Sequence, residues 1–150
     1  MKAYFETELG KLYNGDCLEY LKQFKDNEFD LVLTDPPYGI KADKGPNLEG
    51  VAKKRNYNDD WDSFTPTQEV FDEILRVSKK VIIFGGNFFT DKLPQNNHWI
   101  LWDKMGIMIN FKDFSDCELA YTNINKNIVK KYIVIQKGFI AEEKERFHPT

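Results

Sequence analysis

The spacing of apolar residues after position 16 is that of a short amphipathic helix. Leu18, Leu21 and Phe24 recur every third residue, so they fall on one face of a helix predicted over residues 17–25. Asp16 precedes this stretch, and aspartate is a residue type that caps helix N-termini through a side-chain oxygen. We therefore expect the first helix to begin directly after Asp16.

A second helix is predicted by a start signal followed by a longer apolar face. Thr65 is the expected N-cap, Pro66 fits the first helical position and Gln68 fits the third. The core-facing side would consist of Val70, Phe71, Ile74, Leu75 and Val77. A third, short helix is expected over residues 88–93.

Six short apolar runs predict strands. They cover residues 11–14, 30–34, 81–84, 99–102, 118–122 and 132–136. Helices separate the first strands, whereas the last two follow each other directly. This order predicts an α/β fold with a mostly parallel sheet and an antiparallel edge. Residues 41–60 have no periodicity, which predicts a mobile loop.

Composition limits the class of protein. With 150 residues and 41% hydrophobic content, the chain is long enough for one domain with a sizeable core. It has neither a run of 18 apolar residues nor an apolar N-terminal signal core, so we expect a cytoplasmic protein without a membrane span. Cys17 and Cys117 have no metal-ligand spacing with His98 or His148, and no metal site is expected.

The most specific chemical pattern is Asp35-Pro36-Pro37-Tyr38, which follows the predicted strand 30–34. Ligands of open α/β sheets bind outside the carboxyl ends of strands. The two prolines lack an N–H, so the run cannot continue as an inner strand. The Asp35 carboxylate and the Pro36 carbonyl can converge on an amino group, and the Tyr38 ring offers a stacking face for a planar base. The plainer alternative is a strand that ends in a Pro-Pro turn with a helix-capping aspartate.

This tetrad resembles the catalytic motif of the amino-methylating DNA methyltransferases, which act on adenine N6 or cytosine N4. Further segments are similar to that family, namely residues 15–18, 30–34, 81–87, 98–104, 118–122 and 146–150. A tetrad near the N-terminus is similar to the circularly permuted (beta-type) group, in which the cofactor loop comes last. The resemblance implies one catalytic domain over residues 1–150, with a Rossmann-like sheet that lacks the cofactor-loop strands.

The resemblance also implies S-adenosyl-L-methionine as the cofactor and assigns roles to residues. Asp35, Pro36, Pro37 and Tyr38 would be catalytic. Cofactor contacts would come from Asp16, Cys17, Asp35, His148 and Thr150. Because Asp rather than Ser opens the tetrad, the family pattern favours adenine N6 over cytosine N4.

The resemblance implies double-stranded DNA as the partner. The net charge of −3 is unusual for a nucleic-acid-binding protein, which normally has a basic surface. Lys53, Lys54 and Arg55 are candidate contacts to the DNA backbone. They lie in the predicted mobile loop, which would either close over a flipped base or be disordered.

The family's glycine-rich Phe-x-Gly-x-Gly loop does not occur in the sequence. The pair Gly85-Gly86 follows a predicted strand but is more typical of a tight turn. Two other functions therefore stay open. One is a catalytically silent fragment or subunit that binds DNA or a partner chain; the other is a methyltransferase for RNA or protein amides, where Asn usually replaces Asp. A bare sheet edge would favour a homo-oligomer or pairing with the missing cofactor half.

Overall fold

A computed structural model of the chain describes residues 2–41, 62–106, 115–124 and 128–134. The predicted mobile loop, apart from Lys41, lies outside these ranges. The elements in chain order are β1 (Phe5–Thr7), β2 (Gly10–Leu12), α1 (Cys17–Leu21), β3 (Val32–Thr34), α2 (Gln68–Val77), β4 (Val81–Phe84), a 3-10 helix (Gly86–Phe89), β5 (Trp99–Asp103), β6 (Cys117–Thr122) and β7 (Val129–Ile133). None of the described helices is long and apolar enough to cross a membrane.

The larger sheet has five described strands in the order β3-β4-β6-β5-β7. β3 is parallel to β4, and β5 is parallel to β7. β6 runs antiparallel to both of its neighbours, β4 and β5. The predicted α/β class is confirmed, but the prediction of a mostly parallel sheet is wrong for the described strands, which pair twice in parallel and twice in antiparallel fashion.

The antiparallel strand lies inside this sheet, whereas the sequence predicted an antiparallel edge. Burial explains the difference. Ala120, Tyr121 and Thr122 in β6 are all buried, so this strand has neighbours on both sides. Every residue of β7 is exposed, and its Lys130 and Lys131 suit an edge position. The last two strands therefore do not pair with each other, and β7 pairs with β5 instead.

The predicted cap of α1 is confirmed. Asp16 Oδ1 accepts a hydrogen bond from the backbone N–H of Leu18 at 2.8 Å. The helix ends at Leu21, earlier than the predicted position 25. Phe24 lies beyond it and packs edge-on against Phe29, with ring centroids 4.7 Å apart.

The helix α2 begins later than predicted. Its N-cap is Thr67, and Thr65 lies outside the helix. The Lys92 ammonium donates hydrogen bonds to the Thr65 hydroxyl and to the Pro66 carbonyl, the latter at 3.0 Å. A tertiary contact thus holds the residues that the sequence pattern placed in the first turn.

The core lies between α2 and the sheet. Its buried members are Phe71, Ile74, Val81, Ile83, Phe89, Leu93 and Tyr121. Phe71 is 0% exposed and packs against Phe89 with ring centroids 4.9 Å apart. The apolar face of α2 therefore covers β4 and supports the end of the sheet where the tetrad begins.

The strand predicted at residues 11–14 overlaps β2, but β1 and the hairpin that it forms with β2 were not predicted. β1 has only three residues, all of them exposed, so no apolar alternation marks it. The Thr7 hydroxyl accepts hydrogen bonds from the backbone N–H groups of Leu9 and Gly10 at 3.2 and 3.1 Å. A side chain therefore stabilises the turn.

We expect Phe71→Ala to lower the free energy of unfolding by about 3–5 kcal/mol, because it opens a cavity in the core. Phe64→Ala is the matched control, since Phe64 is 79% exposed. That change should stay within about 0.5 kcal/mol. Urea denaturation of both variants measures the difference, and equal losses would contradict this assignment of the core.

Candidate active site

The tetrad lies at the carboxyl end of the parallel pair β3–β4. Thr34 at the end of β3 is aligned with Ile83, one residue before the end of β4. The chain leaving β3 therefore runs beside the Gly85-Gly86 turn. Gly85 has φ +64°, and a Cβ there would lie 2.0 Å from Tyr38 Cε1. Glycine at position 85 thus serves both the left-handed turn and the close approach of the Tyr38 ring.

A hydrogen bond joins the two ends of the tetrad. The Tyr38 hydroxyl donates to Asp35 Oδ1 at 2.5 Å. Asp35 itself is exposed. Burial, followed by the hydrogen bond to Asp35, raises the pKa of Tyr38 well above its ordinary value. Tyr38 therefore keeps its proton and remains a donor to the carboxylate at any physiological pH.

The Tyr38 ring stacks on an aromatic residue of the neighbouring turn. The centroids of Tyr38 and Phe88 are 4.8 Å apart and the ring planes differ by 13°. Phe89 lies 6.1 Å from Tyr38 in a tilted arrangement. Phe88 therefore covers one face of the Tyr38 ring.

A buried carboxylate that the sequence analysis missed holds the backbone of the tetrad. Asp62 Oδ1 accepts hydrogen bonds from the backbone N–H groups of Tyr38 and Gly39, both at 2.8 Å. Asp62 is 2% exposed, and its carbonyl accepts the N–H of Lys41 at 3.0 Å. It lies more than twenty residues from Tyr38 in sequence, so no local pattern could identify it.

Below the tetrad lies a cleft of about 770 Å³ between α1, β3 and the start of α2. Its walls are mostly apolar and include Leu21, Val32 and Val70. The structure brings five of the predicted site residues to this cleft, namely Asp16, Cys17, Asp35, Pro36 and Pro37.

Tyr38 is described but is not among the residues that line the cleft, and the remaining predicted site residues lie outside the described part of the chain. They are Lys53, Lys54, Arg55, His148 and Thr150. Within the described ranges, no three His, Cys, Asp or Glu residues cluster as a metal site would require. Both cysteines are free, and Cys17 is exposed.

We expect Tyr38→Phe to cost about 1 kcal/mol of stability at pH 7, because it removes the hydrogen bond to the Asp35 carboxylate. The raised pKa sets the sign of the pH dependence. This contribution is complete below about pH 10, the ordinary pKa of tyrosine, and falls above it because the unfolded chain ionises first. Denaturation at pH 7 and pH 11 should show wild type losing more stability than the variant. Parallel losses would contradict the hydrogen bond.

Comparison with known proteins adds a family context to this geometry. No family model matches the chain. The chain is 33% identical over 121 residues to the type II methyltransferase M.BamHI of Bacillus amyloliquefaciens. The aligned segment covers 81% of this chain and 26% of that protein. It is 26% identical to M2.MboI of Moraxella bovis, over 74% of this chain and 48% of that protein. It is 27% identical to M.HinfI of Haemophilus influenzae, over 81% of this chain and 39% of that protein.

The chain thus spans a quarter to a half of the length of these relatives. Each of these three methyltransferases matches most of the residues of this chain. The homologues of this chain are type II methyltransferases.

Proposed function

We propose that the chain carries the catalytic tetrad of an S-adenosyl-L-methionine-dependent DNA methyltransferase that methylates N6 of a flipped adenine. The observation that carries the proposal is the position of Asp35: an exposed carboxylate at the carboxyl end of β3, at the mouth of the cleft and bonded to Tyr38. The homologues are type II methyltransferases, a class that uses this methyl donor.

The residues of the cleft fit such a cofactor. A volume of about 770 Å³ lies within the range of pockets for cofactor-sized ligands. The apolar walls suit a purine ring, and the carboxylates of Asp16 and Asp35 suit a ligand that carries positive charge. When bound, this donor would supply an electrophilic methyl carbon on a sulfonium; transfer would leave a neutral thioether, and the amino group would release one proton.

The role of the tetrad is to activate a weak nucleophile. The lone pair of an aromatic amino nitrogen is delocalised into the ring. Hydrogen bonds from that amino group to Asp35 and to the Pro36 carbonyl would localise the lone pair and stabilise the developing positive charge. Because Tyr38 O–H already bonds Asp35 Oδ1, we assign the other oxygen, Oδ2, to the amino group.

The base must leave the duplex to reach Asp35, at a cost of a few kcal/mol. Stacking on Tyr38 would recover about 1–3 kcal/mol. We retain double-stranded DNA as the proposed substrate, with Lys53, Lys54 and Arg55 as proposed backbone contacts. Adenine is preferred over cytosine because Asp stands at position 35, where Ser would favour cytosine.

A second candidate function is binding of DNA or a partner chain without catalysis. The favouring observation is that the tetrad is satisfied internally: Asp35 accepts from Tyr38, and Tyr38 stacks on Phe88. Calorimetry with S-adenosylmethionine discriminates between the two candidates. Binding by the protein supports the methyltransferase, and no binding supports the silent function.

We expect Asp35→Ala to lower methyl transfer to DNA by about 10²-fold or more, because the acceptor for the amino group is lost. Transfer of label from radioactive S-adenosylmethionine measures this loss. Asp30→Ala is the matched control, since Asp30 is an exposed carboxylate five residues earlier that pairs only with surface Lys79 among the described residues. The methyl-transfer activity of Asp30→Ala should equal that of the wild type. More than a tenth of the activity remaining in Asp35→Ala would remove Asp35 from the mechanism.

We also propose that the outer edge of β3 pairs with a further strand, from a second copy or from another chain. Among the described strands β3 has one neighbour, β4, and Leu33 is 62% exposed. Bare apolar edges of this kind promote association. Light scattering of the wild-type protein should therefore give a mass above that of a monomer. The Leu33→Lys variant should have a lower mass in solution than the wild type. Val129→Lys, on the opposite edge, is the control. A monomeric wild type would contradict pairing between two copies and leave a strand from another chain as the partner.

A further inference from the structure

We propose that Asp62 is the positioning residue of the active site, which fixes the catalytic tetrad through its backbone. The inference rests on the proposed methyltransferase function for its kinetic part only. Its structural part stands on the hydrogen bonds of the carboxylate.

The tetrad has few ways to anchor its own backbone. Pro36 and Pro37 carry no N–H, so the first donors after Asp35 are the N–H groups of Tyr38 and Gly39. Both of these donors meet one atom, Asp62 Oδ1, at 2.8 Å each. The turn is therefore held by a side chain where a β-strand would use a backbone ladder.

The burial and charge of Asp62 make this anchor strong. Hydrogen bonds to an ionised carboxylate are shorter and stronger than those to neutral acceptors. Asp62 is 2% exposed, so water competes little for its oxygen. The acceptor is itself fixed, because the Asp62 carbonyl binds the N–H of Lys41 at 3.0 Å. Asp62 thus accepts hydrogen bonds from the backbone N–H groups of Tyr38, Gly39 and Lys41, the first two through its side chain and the third through its carbonyl.

Fixing the backbone of Tyr38 also fixes the chemistry of the tetrad. The direction of the Tyr38 side chain places its ring on Phe88 and its hydroxyl 2.5 Å from Asp35 Oδ1. A shift of the backbone at Tyr38 would therefore move the donor that holds the Asp35 carboxylate. Asp62 would thus act on the chemistry through Tyr38.

The chain contains a matched control for this arrangement. Asp103 Oδ1 accepts hydrogen bonds from two successive backbone N–H groups, those of Met105 at 3.0 Å and Gly106 at 2.7 Å. Like Asp62, Asp103 thus binds two backbone N–H groups through one oxygen, although these donors are local in sequence and its Oδ2 also pairs with Lys131 at 2.7 Å. Asp103 ends β5, which is separated from β3 by two strands. Asp62→Asn and Asp103→Asn therefore make the same chemical change at two turns, only one of which carries the tetrad.

The first measurement is amide hydrogen exchange by NMR. Asp62→Asn keeps an acceptor oxygen but loses the charge, so exchange of the Tyr38 and Gly39 amides should accelerate by about tenfold. Asp103→Asn should leave these two amides unchanged and accelerate those of Met105 and Gly106. Unchanged protection of Tyr38 and Gly39 in Asp62→Asn would overturn the proposal. Amide exchange tests whether Asp62 holds the backbone of Tyr38 and Gly39 even if the protein shows no methyl transfer. An absence of methyl transfer would count against the proposed function alone.

The second measurement is the steady-state kinetics of methyl transfer. We expect Asp62→Asn to lower kcat by on the order of 10-fold and Asp62→Ala by on the order of 100-fold, because misplacement by about 1 Å has effects of this size. KM for DNA and for the methyl donor should change less than kcat. Asp103→Asn should retain the kcat of wild type. A kcat unaffected by Asp62→Asn, or lowered equally by both Asn variants, would overturn the positioning role. If Asp62→Ala does not fold, the Asn pair still gives the answer.

Discussion

The parallel pairing of β3 with β4 is the constraint on which the site depends. It ends both strands at the same edge, so the tetrad after β3 and the Gly85-Gly86 turn after β4 become neighbours. Everything assigned to the site follows from this adjacency. Tyr38 stacks on Phe88, and only glycine at position 85 leaves room for its ring. The pairing in turn depends on α2, whose buried face covers β4.

Two prolines give the tetrad its stiffness and also deprive it of anchors. A strand end normally binds its neighbours through N–H groups, and Pro36 and Pro37 have none. The fold compensates with carboxylates from two directions. Asp62 binds the backbone after the prolines, while Asp35 receives the Tyr38 hydroxyl before them. Asp62 thus holds the end of the tetrad from outside, while the Asp35–Tyr38 hydrogen bond closes the tetrad on itself.

The sequence predicted what depends on local pattern and failed where distant contacts decide. The cap at Asp16 and the apolar runs of β3 and β4 were predicted, because each is determined by neighbours in sequence. The start of α2 was misplaced because Lys92, far along the chain, holds Thr65. The central place of β6 was missed because two consecutive strands need not be adjacent in a sheet.

The residues of the candidate site also fall into those predicted from local sequence and those placed by distant contacts. Asp35 and Tyr38 were identified from four adjacent residue types, and the structure joins them by a hydrogen bond. Asp62 carries no motif, since an aspartate in a polar segment that also contains Asp59 and Asp60 is usually solvated. Its burial and the hydrogen bonds that it accepts from Tyr38 and Gly39 distinguish it. Sequence therefore reveals the residues of a recognisable motif more readily than the residues that hold that motif in place, because the former must be particular residue types while the latter need only arrive at the right place.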